Sequence, residues 1–425
     1  MKIRVTDMSY EQALAQPRQQ HERPRRSSLL LRTAVRLASI PDLLATHFSC
    51  TRVGLEGIGA DEPCLYLMNH SSFIDLKIAS ALLYPRPFNI VCTSDGFVGK
   101  EGLMRALGCI PTRKFQSDTA LVRDMLYTVK TLKSSLLLYP EASYSFDGTA
   151  TPLPESLGKC VKVLGVPVVM IRTYGAFARD PLYNGLQNRR VRVSAEMRLL
   201  LSPAELAEKS ADELNAVLTR AFTFDNFRWQ QQNGVVVKEP FRADGLNRVL
   251  YKCPHCQTEG QMRGVGTALT CHHCGVRYRL TELGALRCEN SEGRFTHVPD
   301  WYAWERACVR GELERGEYAL DMPVKICMMV NMRSILRVGE GRLRHDAQGF
   351  RLTGCGGALD FVQKPEASYS LYADYFWYEL GDMICIGDRS ALYYCFPRGG
   401  DVVAKTRLAA EELYKLRRSA KQAET

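Results

Sequence analysis

The sequence predicts an α/β domain on a mostly parallel sheet with helices, then a compact cysteine module, then a mainly β domain with a C-terminal helix. Three observations predict this order. Between Val53 and Leu201 short apolar runs alternate with helical patterns, as in a sheet whose strands are joined by crossover helices. Two Cys-x-x-Cys knuckles fall within Cys253–Cys274. Residues 317–403 are rich in Val, Ile, Tyr and Phe with glycine punctuation, and a helical pattern follows them.

Residues 1–28 read as a polar lead-in, charged throughout its first twenty residues and lacking the apolar stretch of a secretory leader. His21–Arg26 is a basic turn. Ser27 and Ser28 are candidate caps for a helix from Leu29 to about Ile40, where Pro41 interrupts it. Arg32 and Arg36 share one face, so this basic amphipathic segment suits either a membrane interface or a domain core. Strands are expected at Cys64–Met68, Asn89–Thr93, Ser135–Tyr139, Val166–Arg172 and Arg190–Leu199. Helices are expected near Ile74–Leu83, Gly102–Leu107, Thr119–Lys133 and Leu157–Leu164, and Ser202-Pro203 with Glu205 opens another that runs to Phe222. Trp301, Trp304, Glu305 and Arg306 fall on a connecting helix. Asp374–Asp388 reads as two strands around a Gly381-Asp382 hairpin turn, with Tyr372, Tyr375, Trp377 and Tyr378 packing the sheet. Thr406–Gln422 is the terminal helix. The expected boundaries are 1–28, 29–235, 248–282, 283–316 and 317–425.

The 425 residues are 46% hydrophobic and 24% charged, which excludes a mainly disordered chain. No stretch reaches the roughly 18 uninterrupted apolar residues of a spanning helix, which excludes a polytopic membrane protein. The net charge of +10 suits an anionic partner: nucleic acid, phospholipid or a phosphorylated metabolite. An odd count of 15 cysteines without a leader points to a reducing, cytoplasmic setting with free thiols.

One stretch carries candidate chemistry. The buried strand of Cys64–Met68 delivers Asn69 and His70 into a turn, and Asp75 follows five residues after the histidine. Ser72 and Asp75 alone would be a helix capping box. Together with His70 they suggest a base whose tautomer is fixed by a carboxylate, with a substrate hydroxyl as nucleophile. Arg113 and Lys114 follow a Gly turn and a short strand as candidate phosphate ligands. Glu141, Ser143 and Ser145 follow the strand that ends at Pro140. His70 and Glu141 would share the carboxyl edge of the sheet, where ligands of open α/β sheets gather.

In order and spacing these residues resemble the four blocks of the glycerolipid acyltransferase family. The blocks are Asn69-His70-xxxx-Asp75, Gly108-x-Ile-Pro-x-Arg113, Pro140-Glu141-Ala-Ser-x-Ser145 and Val166-Pro167-Val-Val169. The resemblance covers about residues 30–225. It implies transfer of a fatty acyl group from an acyl-CoA or acyl-carrier-protein thioester to a hydroxyl of a lysophospholipid-like acceptor, 1-acylglycerol-3-phosphate being the first choice. It makes His70 the general base, Asp75 its orienter, Arg113 the phosphate ligand and Glu141 a holder of the acceptor. The loop amides around Ser143–Ser145 are candidate oxyanion donors. The third block departs from the family's Glu-Gly-Thr-Arg-Ser: Ala142 replaces the glycine and Tyr144 the cation.

The knuckles Cys253-Pro-His-Cys256 and Cys271-His-His-Cys274 have fourteen residues between them. Four thiolates so spaced close a tetrahedron around Zn²⁺ as a structural site, with iron or redox dithiols as the alternatives. The module resembles zinc ribbons, and the β domain is similar at fold level to pleckstrin-homology-like domains. The expectation is therefore a peripheral enzyme on the cytoplasmic face of an anionic membrane. The competing class is a non-catalytic binding protein whose ribbon grips nucleic acid or a protein. Nucleic acid ranks second, because only Lys252, Arg263, Arg277 and Arg279 supply charge near the ribbon.

Overall fold

The computed structural model describes residues 3–115, 118–185 and 187–423. Its contacts divide the chain into two compact units. One comprises His21–Pro181 and Asn188–Val235; the other comprises Met1–Gln20, Leu182–Gln187 and Val236–Thr425.

The first unit holds a seven-stranded sheet. Its strands are β1 (Ser49–Val53), β2 (Leu65–Met68), β3 (Phe88–Thr93), β4 (Cys109–Thr112), β5 (Ser135–Leu138), β6 (Val168–Tyr174) and β7 (Ser194–Leu201), in the order β1-β7-β6-β2-β5-β3-β4. β6, β2, β5, β3 and β4 run parallel; the β6–β7 pair is antiparallel. β2 is buried on both faces, as a central parallel strand must be. Leu65 and Leu67 join one core cluster with Val161, Leu214 and Leu218, while Tyr66 and Met68 join another with Ile74 and Ile78. Those partners lie on α2 (Asp75–Leu83), α5 (Leu157–Leu164) and α7 (Ala211–Phe222), or just before α2, so helices cover both faces. Other helices of this unit are α1 (Leu29–Ala45), α3 (Glu101–Ala106), α4 (Thr119–Lys130), α6 (Pro203–Glu208) and α8 (Asn226–Gln232).

Two expectations here need correction. Pro41 lies inside α1 and does not end it. Proline lacks the N–H that would bond one turn back, yet Asp42 anchors the next turn through Lys77 and Arg179. The helix expected from Pro203 to Phe222 is two helices. Ser210 forms a second capping box with Glu213, and that local signal starts α7 afresh.

In the second unit the cysteine module holds the strands β8 (Met262–Val265), β9 (Ala268–Cys271), β10 (Arg277–Leu280) and β11 (Leu286–Cys288), an antiparallel sheet. Helix α9 (Val298–Glu314) follows. β12 (Leu320–Met329), β13 (Ile335–Asp346), β14 (Gly349–Gly354), β15 (Leu359–Gln363), β16 (Tyr372–Asp374), β17 (Met383–Gly387) and β18 (Leu392–Pro397) come next, then α10 (Val403–Ala423). The strand order is β15-β14-β13-β12-β18-β17-β16. Trp377 is buried; it donates from its indole nitrogen to the Tyr372 hydroxyl at 2.9 Å and stacks on Tyr394. The β16–β17 connection is longer than a two-residue hairpin, since a 3₁₀ turn at Trp377–Glu379 intervenes.

The start of the polar lead-in takes regular structure. Val5–Asp7 pairs in parallel with β13 at Ile335–Arg337, beyond the reach of β14, and a capping box on Ser9 starts a short helix at Tyr10. A three-residue strand among charges carries no alternation for a sequence pattern to detect. We expect Pro41→Ala to restore the missing helix hydrogen bond and raise stability by about 1–2 kcal/mol, net of proline's unfolded-state benefit. Urea unfolding checks it.

Candidate active site

β2, β4, β5 and β6 all release their carboxyl ends at one edge of the sheet, which gathers residues distant in sequence. β2 ends in Asn69 and His70, β4 in Arg113 and Lys114, β5 in Glu141, and β6 in the turn Ala176–Arg179 and Asp180. Asn69 ties β2 to β6: its Oδ1 accepts the Thr173 amide at 2.8 Å, and its Nδ2 donates to the Ser71 hydroxyl at 3.0 Å.

His70 Nδ1 lies 3.2 Å from Asp75 Oδ2. That pairing places the proton on Nδ1 and leaves Nε2 as the basic nitrogen. The same Oδ2 accepts the amides of Ser71 at 2.8 Å and Ser72 at 3.0 Å. Asp75 is 1% exposed, and its Oδ1 has no hydrogen-bond partner. Burial holds the His70 imidazole below its ordinary value; Asp75 opposes this and Lys114 reinforces it. The ring is thus neutral near pH 7, as a base must be.

Only half of a Ser72–Asp75 capping box forms: Asp75 Oδ2 accepts the Ser72 amide, but the Ser72 hydroxyl does not return the bond to the Asp75 amide. The Ser72 hydroxyl accepts the Ile74 amide at 3.3 Å and donates to Asp180, while Asp75 serves the turn and the imidazole. Asp180 was not foreseen from sequence. It lies more than a hundred residues from Ser72, and no local pattern links the two.

Glu141 is placed at the site but serves the backbone. Its Oε2 accepts the His70 amide at 2.8 Å and its Oε1 the Thr151 amide at 2.8 Å. Ser145 is likewise part of the scaffold. Its amide donates to His70 O at 3.1 Å, which removes it as an oxyanion donor, and its hydroxyl donates to Thr149 O at 2.6 Å. The Ser143 hydroxyl lies 3.4 Å from Tyr144 O and is buried. Lys114 reaches the imidazole electrostatically, and Arg113 precedes it on the same strand end.

Both third-block departures bear on the base. Tyr144 stacks on the His70 ring at 3.9 Å, Tyr139 lies at 4.3 Å, and Phe73 meets Tyr144 at 4.9 Å. Ala142 sits at φ 54°, in the left-handed region that favours glycine.

Residues 50–173 match the family model described as Acyltransferase. This part of the chain resembles the glycerolipid acyltransferases. Over 134 residues it is 28% identical to the chloroplastic 1-acyl-sn-glycerol-3-phosphate acyltransferase BAT2 of Brassica napus, across 29% of this chain and 36% of that protein. The chain therefore spans little more than a third of the length of that curated relative. Among solved structures, the 1-acyl-sn-glycerophosphate (LPA) acyltransferase PlsC from Thermotoga maritima aligns with a TM-score of 0.35 at 15% identity, covering 45% of this chain and 78% of that one. The acyltransferase match contains all four sequence blocks.

In the second unit Cys253, Cys256, Cys271 and Cys274 bring their sulfurs within 4.8 Å of one another. Cys253–Cys274 and Cys256–Cys271 are 3.7 and 3.8 Å apart. A tetrahedron with metal–sulfur bonds of about 2.3 Å has edges of about 3.8 Å, so the donor set fits a metal ion. The two knuckles match: the Gln257 amide donates to Cys253 O and the Gly275 amide to Cys271 O, both at 2.9 Å. Gln257 and Gly275 both have positive φ, 60° and 77°. Glycine advertises that conformation in the sequence and glutamine does not. His255, His272 and His273 are exposed. None of the other eleven cysteines is exposed, and burial raises several of their thiols, including Cys64 and Cys327.

Ala142→Gly should relieve the left-handed strain and stabilise the first unit by about 1 kcal/mol. Thermal unfolding of the variant beside the parent tests this.

Proposed function

We propose that the chain is an O-acyltransferase that moves a fatty acyl group from an acyl-CoA or acyl-carrier-protein thioester to a hydroxyl of a lysophospholipid-like acceptor, with 1-acylglycerol-3-phosphate the first candidate. The observation that carries this is the His70–Asp75 pair at the carboxyl edge of the sheet, inside the acyltransferase match.

His70 Nε2 takes the proton of the acceptor hydroxyl as its oxygen attacks the thioester carbonyl. A tetrahedral oxyanion forms. It collapses with loss of the thiolate, which receives the proton from His70; the products are an ester and a free thiol. Asp75 keeps the ring in register and stabilises the transient imidazolium. Arg113 and Lys114 take the acceptor's phosphate. Glu141 holds the amide that sets the base, so its loss would disturb His70 first.

The four cysteines would hold Zn²⁺ as a structural ion, since four thiolates leave no open position. The strand order of the second sheet, four strands then three with β12 joining β18 and a terminal helix, supports the pleckstrin-homology-like reading. Among the described residues no helix is long and apolar enough to cross a membrane. Leu30, Leu37 and Leu44 are 79%, 59% and 70% exposed at seven-residue spacing on α1. They support peripheral docking of α1 on a membrane, and the proposed setting is the cytoplasmic face of an anionic one. Binding of nucleic acid by the ribbon is not favoured: Arg277 and Arg279 engage Glu289, Arg263 engages Asp401, and Lys252 engages Glu259 and Glu312.

An in vitro acyl-transfer assay over a panel of lyso-lipids tests the reading. His70→Ala and Asp75→Ala should each lower kcat about 10²–10⁴-fold with far-ultraviolet dichroism unchanged; full activity in His70→Ala would sink the proposal. The pH profile follows from the sign of the imidazole shift. The neutral ring is the active form and its folded value is lowered, so activity should rise with pH through a midpoint below the ordinary histidine value of about 6.5. Metal analysis should find one zinc per chain, and Cys271→Ser should lose it and destabilise the second unit.

A further inference from the structure

We propose that Asp180 is a positioning residue for the His70–Asp75 pair, acting through the hydroxyl of Ser72. This rests on the acyl-transfer reading above. Asp180 is 4% exposed and follows the helical turn at the end of β6. Its Oδ1 accepts the Ser72 hydroxyl proton, and its Oδ2 lies 3.2 Å from Arg179 Nη1. Ser72 is the link. Its hydroxyl is held by Asp180 while its amide is one of the donors on Asp75 Oδ2.

The chain of contacts continues outward. Arg179 Nη2 lies 3.3 Å from Asp42 Oδ1 on α1, and Asp42 also holds Lys77 of α2. Asp42, Arg179, Asp180, Ser72, Asp75 and His70 therefore form one connected series. Fixing Ser72 from behind fixes the turn whose amides grip Asp75, and Asp75 in turn sets the imidazole plane. An orienter with three donors on one oxygen and none on the other is sensitive to a shift of that turn.

The ionised groups facing Asp180 are Arg179 and Asp75; those facing His70 are Asp75 and Lys114. Burial pushes the Asp180 carboxyl up to about 6, against the Ser72 hydrogen bond and Arg179, with Asp75 adding to the rise. Above that value the carboxylate accepts the Ser72 proton. Below it the group carries its own proton, the acceptor is weakened, and Ser72 loosens. Positioning is thus present at higher pH and lost as pH falls through about 6.

The test follows the ¹⁵N resonances of the His70 ring against pH, beside kcat and KM, in the full chain. In the parent the His70 nitrogens should show a second step near pH 6. In Asp180→Asn that step should vanish, and kcat should fall about tenfold with KM little changed. Ser72→Ala should do the same, and it serves if Asp180→Asn fails to fold. The double variant should lose no more than the worse single one, because both act through one hydrogen bond. Additive losses, or a His70 titration indifferent to Asp180→Asn and Ser72→Ala, overturn the proposal. If the nitrogens respond as expected but His70→Ala keeps full acyl transfer, the enzymatic reading falls and the coupling stands.

Discussion

The first unit is organised by one buried oxygen. Asp75 Oδ2 gathers an imidazole nitrogen and two backbone amides in a turn only a few residues long. A buried carboxylate is costly unless it is hydrogen-bonded, so this turn has little freedom. β2 must end where Ser71 and Ser72 can point their amides inward, and α2 must begin at Asp75. A second carboxylate repeats the arrangement, since Glu141 bridges the His70 amide and the Thr151 amide. Asn69 completes it across β6. Three strand ends are locked by side chains that read backbone, and a histidine is left at their junction.

The environment of that histidine departs from the pattern of the family the chain resembles. Tyr144 replaces a cation with a ring stacked on the imidazole, and Tyr139 supports the ring as well. A cation there would disfavour the imidazolium by repulsion, whereas aromatic faces favour a cation. Lys114 already supplies nearby positive charge. Burial and Lys114 thus act together on the ring and the aromatic faces oppose them, with burial the largest effect. The left-handed Ala142 is the local cost of turning the chain sharply enough to bring Tyr144 over the ring.

Most of the architecture was legible because it is periodic. The β2 run, the alternation of strands and helices, and the paired knuckles are all local patterns, and the four blocks mark His70 and Asp75 in the sequence itself. What stayed hidden was non-local or lacked a residue-type signal. Asp180 meets Ser72 only because β6 and β2 are neighbours in the sheet. Gln257 takes a positive φ without being glycine. Val5–Asp7 is too short to show a period. Pro41 stays inside its helix because Asp42 ties down the following turn from α2 and Arg179, contacts that no local pattern shows. The resemblance gives Glu141 the role of holding the acceptor; its hydrogen bonds to two backbone amides appear only in three dimensions.

The cysteine cluster has a comparable role in its own unit. The residue before its first ligand, Lys252, donates its amide to Glu305 at 2.8 Å and accepts the Trp301 indole N–H at 3.0 Å, both from α9. The Lys252 ammonium bonds Glu259 and Glu312, and Lys405 of α10 bonds the same two carboxylates. Two cations and two anions thus share a closed ring that joins the ribbon to α9 and α10. Glu305 is fully buried, and burial raises its carboxyl well above the usual range. Such a group is tolerable only where its donors stay in place. Binding of a metal by the four sulfurs would hold Lys252 and its neighbours in register, and with them both helices flanking the large sheet. Lys252, the residue beside the first sulfur, thereby ties the cysteine cluster to the packing of both helices.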